Sequence, residues 1–140
     1  MRIGELARRT GCDVETVRYY EKEGLMAVPG RDAAGYRLYA TRHLEDLQFI
    51  RHCRSLGMRL AEIKLLLDFR HDPQQDCDRV NTLLDAQIVR VEEQRRAMHT
   101  LLEQLHLLRA ECASRQQVAE CGIMRNLNQA AKGERCLCHE

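Results

Sequence analysis

Cysteine supplies most of the chemistry this chain could do, and three of its seven cysteines stand at telling positions. Read at a spacing of seven, one stretch runs Cys77, Leu84, Val91, Met98, Leu105, Cys112, and Cys121 follows shortly after it. Three thiolates make a soft, negatively charged donor set that favours thiophilic metals over Mg(II) or Ca(II). Binding requires deprotonation, so affinity should rise with pH until hydroxide competes. Zinc normally takes four tetrahedral ligands, and the segment from Ala113 to Glu120 offers it only Glu120 or water as a fourth. Large soft cations that accept three sulfurs suit the set better: Pb(II), Cd(II) and Hg(II), with Zn(II) behind them. The plainer reading of a cysteine in a helical seam is a small buried hydrophobe. Convergence of three at one helix end is what argues against it here.

The remaining cysteines are weaker candidates. Cys12, in a tight turn, and Cys53, three residues after Ile50, read as structural packing. Cys136-Leu137-Cys138-His139 offers two thiols and an imidazole for an accessory metal site, against the simpler expectation of a polar tail with no fixed role.

The element that must position the three thiols is a helix. Three residues after the first five members of the seven-spaced row come Val80, Gln87, Gln94, Leu101 and Leu108, which completes a heptad seam. Neither proline nor glycine interrupts it, and straight-chain residues fill most of the rest, so one continuous helix is expected. At a rise of about 1.5 Å per residue, Cys77 and Cys112 lie roughly 50 Å apart and cannot meet within one chain. Two copies paired antiparallel would set Cys77 of one beside Cys112 of the other, with polar Gln94 and Arg95 fixing register near the centre. A parallel pair would stack Cys77 on Cys77, far from every other cysteine. The antiparallel arrangement is favoured because it gathers the thiols.

Composition narrows the class. A chain of 140 residues, with 4% aromatic residues and no tryptophan, must rely on aliphatic helix packing. The formal net charge is +1, with the amino-terminal half modestly basic and the rest mildly acidic. Met1-Arg2-Ile3-Gly4-Glu5 leads into a charged segment unlike a secretory signal, and no apolar run suits a membrane span. A cytoplasmic location without membrane attachment is therefore expected, where thiols point to metal or redox chemistry rather than a disulfide framework.

The amino-terminal lobe reads as helix, turn, helix. Ile3, Leu6 and Ala7 form an apolar face, Thr10-Gly11-Cys12 a turn, and Asp13 the N-cap of a helix from Val14 to about Glu21. Val14 and Val17 point inward, leaving Thr16, Arg18 and Tyr19 or Tyr20 for an outer face that could enter a major groove. Pro29-Gly30 and Gly35 punctuate a hairpin whose Tyr36-Arg37-Leu38-Tyr39 alternates as a strand does. Arg18, Arg37 and the hydroxyls of Tyr19, Tyr20, Tyr36 and Tyr39 are candidate phosphate contacts, although at least two of these four tyrosines should simply be core. Thr41 is the expected cap of a third helix with Leu44, Leu47 and Ile50 inward; Leu56-Gly57-Met58 breaks it. A fourth helix from about Leu60 to Phe69 buries Leu60, Ile63, Leu66 and Leu67, and Asp72-Pro73 ends it.

Ile3-Gly4-Glu5-Leu6-Ala7, then Glu15-Thr16-Val17-Arg18-Tyr19-Tyr20-Glu21-Lys22-Glu23-Gly24-Leu25, then Gly35-Tyr36-Arg37-Leu38-Tyr39 resembles the signature of the MerR family of transcription regulators. The resemblance implies a mainly α fold: a winged helix-turn-helix DNA-binding lobe (1–70), a long antiparallel coiled-coil dimerisation helix (75–111), a metal-binding loop with a short helix (112–126) and a flexible C-terminal tail (127–140). It makes the third and fourth helices a second wing, with Arg54, Arg59 and Lys64 as further phosphate contacts. Copper-type members use two loop cysteines and carry Ser at the start of the dimerisation helix, so Cys77 points to the divalent-metal branch. Gln75-Asp76-Cys77 with Val80-Asn81, Leu83-Leu84-Asp85 and Cys121-Gly122-Ile123 looks most like lead-responsive (PbrR) and cadmium-responsive (CadR) regulators. The step from Cys112 to Cys121 and the late Cys136 and Cys138 favour the lead type; mercury-type members share the three-cysteine plan.

The function this implies is a homodimeric activator, not an enzyme, that holds double-stranded promoter DNA in both states. On binding Pb(II) or Cd(II) it would bend and untwist an overlong spacer for RNA polymerase. A Hg(II)- or Zn(II)-responsive member is the alternative within the family. A thiol-redox regulator is another, although the four closely spaced cysteines of the superoxide-sensing relatives are not present.

Overall fold

A computed structural model describes residues 1–112 and 115–135. Its elements are α1 (Ile3–Thr10), α2 (Val14–Lys22), β1 (Gly30–Arg31), β2 (Arg37–Leu38), α3 (Thr41–Ser55), α4 (Leu60–His71), α5 (Asp78–Arg109), a 3-10 turn (Val118–Glu120) and α6 (Gly122–Ala131). The chain is therefore mainly α, a winged helix-turn-helix followed by a long helix. It divides into two compact units, Met1–Ile88 and Val89–Glu140.

The first unit is built by the apolar stripes the sequence displays. Leu6 of α1, Val17 of α2, Leu47 and Ile50 of α3 and Ile63 of α4 are fully buried, with Ala7, Cys53, Leu66 and Leu67 around them. Ile3, Val14, Leu44 and Leu60 pack against this core from half-buried positions. So do Val80, Leu83 and Leu84 of α5, whose first turns therefore belong to this lobe. The wing is a short antiparallel ladder pairing Gly30 with Leu38 and Arg31 with Arg37. Asp32 closes its turn: Oδ1 accepts from the backbone N–H groups of Ala34 (2.9 Å) and Tyr36 (3.0 Å).

Three expectations are corrected. Thr41 is the first residue of α3 rather than its cap; Ala40 takes the N-cap, and its backbone N–H donates to Nδ1 of buried His43 at 2.9 Å. Gln87, assigned by heptad spacing to the partner-facing row, is buried within its own lobe. The segment taken for a flexible tail begins as helix, because α6 continues to Ala131.

In the second unit, α5 carries an exposed apolar stripe of Val91, Met98, Leu101, Leu102 and Leu105. At its end Leu108 is buried, packed by Ile123 and Ala130 of α6. Among the described residues, no helix is long and apolar enough to cross a membrane.

Candidate metal centre and DNA-contact residues

Cys112 and Cys121 come together in the second unit, and the cause is local. The end of α5 turns over at Ala110 and Glu111, whose N–H groups donate to the carbonyls of His106 (3.0 Å) and Leu108 (3.2 Å). Cys112 follows, and Arg109 Nη1 holds its carbonyl oxygen at 2.5 Å. Cys121 is the N-cap of α6, which leans on α5 through Leu108 and Ile123. The approach is close. A Cβ on Gly122 would sit 2.7 Å from the backbone oxygen of Glu111, so only glycine lets α6 begin there.

This geometry makes the Cys121 thiol more acidic than an ordinary cysteine. The backbone N–H of Met124 contributes most, partial desolvation opposes it, and a side-chain hydrogen bond with Cys112, the Ile123 N–H and the Arg109 charge add to the lowering. The N–H groups that open α6 thus favour the thiolate form of Cys121. A thiolate at Cys121 beside the Cys112 thiol is a soft donor pair, and its chemistry fits a thiophilic cation.

Cys77 lies in the first unit, exposed, and its carbonyl accepts the Asn81 N–H at 2.9 Å as α5 begins. Among the described residues no three of His, Cys, Asp and Glu are grouped to hold a metal. Cys53 is buried in the core of its lobe, and burial pushes its thiol pKa up. Cys12 is half-buried against the same core. Cys136, Cys138 and His139 lie outside the described residues.

The residues expected on DNA separate into two groups. Arg18, Tyr19, Tyr36, Arg54 and Arg59 are exposed, and Thr16 is half-exposed. Arg18 pairs with Glu15 of its own helix at 3.1 Å. Tyr20 and Tyr39, 8% and 2% exposed, belong to the core rather than to a DNA-facing surface, so two of the four tyrosines are core. The Tyr39 hydroxyl donates to Glu21 Oε2 at 3.2 Å, and burial followed by the Glu21 charge pushes its pKa up to about 12. Arg37 pairs with the other oxygen of Glu21 at 3.3 Å. Glu21 thus fastens the wing strand to the second helix of the helix-turn-helix.

Sequence reasoning overlooked two polar clusters. Arg2 pairs with Asp32 at 3.3 Å and lies over the Tyr36 ring at 4.4 Å, bracing the wing. Asp46, only 2% exposed, accepts from Arg70 Nη1 at 2.6 Å and faces His71 Nε2 at 2.9 Å, tying the end of α4 to α3. The signal was available: His43 and Asp46 share the apolar stripe of Leu47, Ile50 and Cys53, and a polar residue on a buried face requires a partner.

Comparison with known proteins agrees with this architecture. The model of MerR HTH family regulatory proteins matches residues 1–69, and that of the MerR DNA-binding region matches residues 44–108. The HTH-type transcriptional regulator ZntR of Escherichia coli K12 is 34% identical over 139 residues, covering 98% of this chain and 99% of that one. The mercuric resistance operon regulatory protein of Bacillus cereus is 34% identical over 129 residues, 90% of this chain and 96% of its own. Among solved structures, the transcription regulator PbrR691 from Ralstonia metallidurans CH34 in complex with lead(II) superposes with a TM-score of 0.79. It is 44% identical, and the match covers 91% of this chain and 98% of that one.

Proposed function

Because the chain belongs to the MerR family of helix-turn-helix regulatory proteins, we propose that it is a cytoplasmic, metal-responsive transcription activator whose effector is Pb(II), with Cd(II) next. It acts as an antiparallel homodimer, and each site takes Cys112 and Cys121 from one protomer and Cys77 from the other. The observation that carries this reading is the pairing of Cys112 with an acidified Cys121 at the start of α6. A pre-acidified thiol lowers the proton cost of forming a metal–thiolate bond near neutral pH. The exposed stripe of α5 supports dimerisation, and the lead(II) complex of the related regulator supports the choice of metal.

Each residue then has a physical task. Arg109 and the N–H groups opening α6 hold negative charge on Cys121; Gly122 allows the approach that brings Cys112 to it. Arg18, Tyr19, Tyr36, Arg54 and Arg59 supply phosphate contacts, and Thr16 is presented for the groove. Glu21, through Arg37 and Tyr39, sets the angle of the wing. Bound metal, by favouring one dimer geometry, shifts the population toward a state that deforms the promoter for RNA polymerase.

An anaerobic titration of the reduced protein with Pb(II), competed against Cd(II), Hg(II) and Zn(II), tests the site. The expected result is a sulfur-to-metal charge-transfer band saturating at one Pb(II) per protomer and resisting excess Zn(II). Ready displacement by Zn(II), or no band, overturns it.

The contact between Cys112 and Cys121 also favours a second reading, in which the pair is a redox switch. Hydrogen peroxide would take two electrons and two protons from the thiols, giving one disulfide and two waters. A metal-free protein that activates transcription on adding peroxide, but not on adding any of the four metals, would support it.

A further inference from the structure

Gln87 is the polar residue of α5 that the heptad pattern does not account for. Its spacing groups it with Val80, Leu101 and Leu108, yet it is only 5% exposed and faces its own lobe. Nε2 donates to the carbonyl oxygen of Leu56 at 2.7 Å, while Oε1 is buried with no hydrogen-bond partner among the described residues. Leu56 begins the turn between α3 and α4, and the next residue, Gly57, has φ of +76°. A Cβ there would come within 3.1 Å of Gln87 Nε2, so turn and carboxamide are fitted to each other. The same turn carries two exposed arginines at its ends. Arg54 donates to the Met58 carbonyl oxygen at 3.0 Å, and Arg59 is the N-cap of α4.

A buried carboxamide with one bond made and one unmade is a poor choice for packing alone, since methionine or leucine would fill the space without stranding an acceptor. What it provides is direction. Apolar contacts such as those of Val80, Leu83 and Leu84 let a helix slide by a fraction of an ångström at little cost. A hydrogen bond to a fixed carbonyl must either break or move that carbonyl. We infer that Gln87 is the positioning residue that transmits movement of α5 to the α3–α4 turn and so sets how Arg54 and Arg59 meet DNA. This rests on the metal-responsive reading above.

The test is Gln87→Met, which keeps the volume and removes both the bond and the stranded acceptor, with Gln87→Leu beside it. Wild type and variants are assayed by in vitro transcription from the promoter the protein footprints, with Pb(II), Cd(II), Hg(II) and Zn(II) in turn. The variants are expected to melt at or above the wild-type temperature and still to bind metal and footprint the promoter. Their ratio of metal-induced to metal-free transcription should fall to near one. Wild-type induction in either variant overturns the inference, as does failure of both to fold, because the carboxamide is then purely structural. If the wild type itself responds to none of the four metals, the functional reading fails first and this one with it.

Discussion

Cys121 and Cys53 show how one side chain acquires two chemistries within a single fold. The N–H groups that open α6 draw negative charge onto Cys121, whereas burial with no compensating charge holds Cys53 protonated. At a pH below the ordinary thiol range, a lowered pKa means a larger thiolate fraction, and thiolate is the nucleophile. Iodoacetamide near pH 7 should therefore modify Cys121 at least about tenfold faster than Cys53, read by peptide mapping. Equal rates would show that the start of α6 does not acidify it. Tyr39 gives a second test at the same scale. A folded-state pKa raised from 10.0 to about 12 means that the fold favours the neutral phenol. Its contribution is complete below about pH 10 and is lost as pH rises toward 12. Tyr39→Phe should cost about 1 kcal/mol in urea unfolding at neutral pH. It should also flatten the alkaline decline; an unchanged decline would assign that loss to another group.

At the scale of elements, the helices were legible because their apolar residues recur at helical spacing, and Leu6, Val17, Leu47, Ile50 and Ile63 are buried as that spacing demands. Contacts that depend on the third dimension were not legible. Heptad spacing cannot tell which residues of the row meet a partner helix and which meet the lobe the helix leaves. Val80, Leu84 and Gln87 fall to the lobe, and Leu108 to α6. Two of the four tyrosines in the motif are core, because a pattern of types does not report which side of a short helix or strand is covered. Cys112 and Cys121 could be singled out as candidate ligands by type, but the acidity of Cys121 required the start of α6 to be known. The element-scale prediction follows from the close approach there. Gly122→Ala places a methyl group against the Glu111 backbone oxygen, which has no rotamer by which to yield. The start of α6 must move, separating Cys121 from Cys112. Affinity for Pb(II) should fall about tenfold or more, equivalent to about 1.4 kcal/mol, with helical content by circular dichroism preserved. Unaltered affinity would mean that the spacing of the two sulfurs is not what holds the metal.

For the whole molecule the question is what covers the stripe of Val91, Met98, Leu101, Leu102 and Leu105. Five apolar side chains on one helical face, each left partly in water, call for a second apolar surface, and in the proposed dimer an identical helix would provide it. If the proposed dimer forms through this stripe, Met98→Glu combined with Leu105→Glu should dissociate it to monomers in sedimentation equilibrium, because each new carboxylate would be buried in an apolar seam without a partner charge. Orientation is the finer point, and it can be read from function by complementation. In an antiparallel dimer with shared sites, a Cys77→Ser protomer paired with a Cys112→Ser protomer keeps one complete site: Cys112 and Cys121 come from the first, Cys77 from the second. The other site lacks two ligands. Each variant alone has no complete site, so neither homodimer should give a three-thiolate charge-transfer band with Pb(II). Refolding the two together should restore it. In a parallel dimer the thiols that must cooperate stay at opposite ends of the long helix in every combination, so mixing restores nothing. Recovery of the band in the mixture, and in neither parent, would establish both the direction of the coil and the sharing of the site.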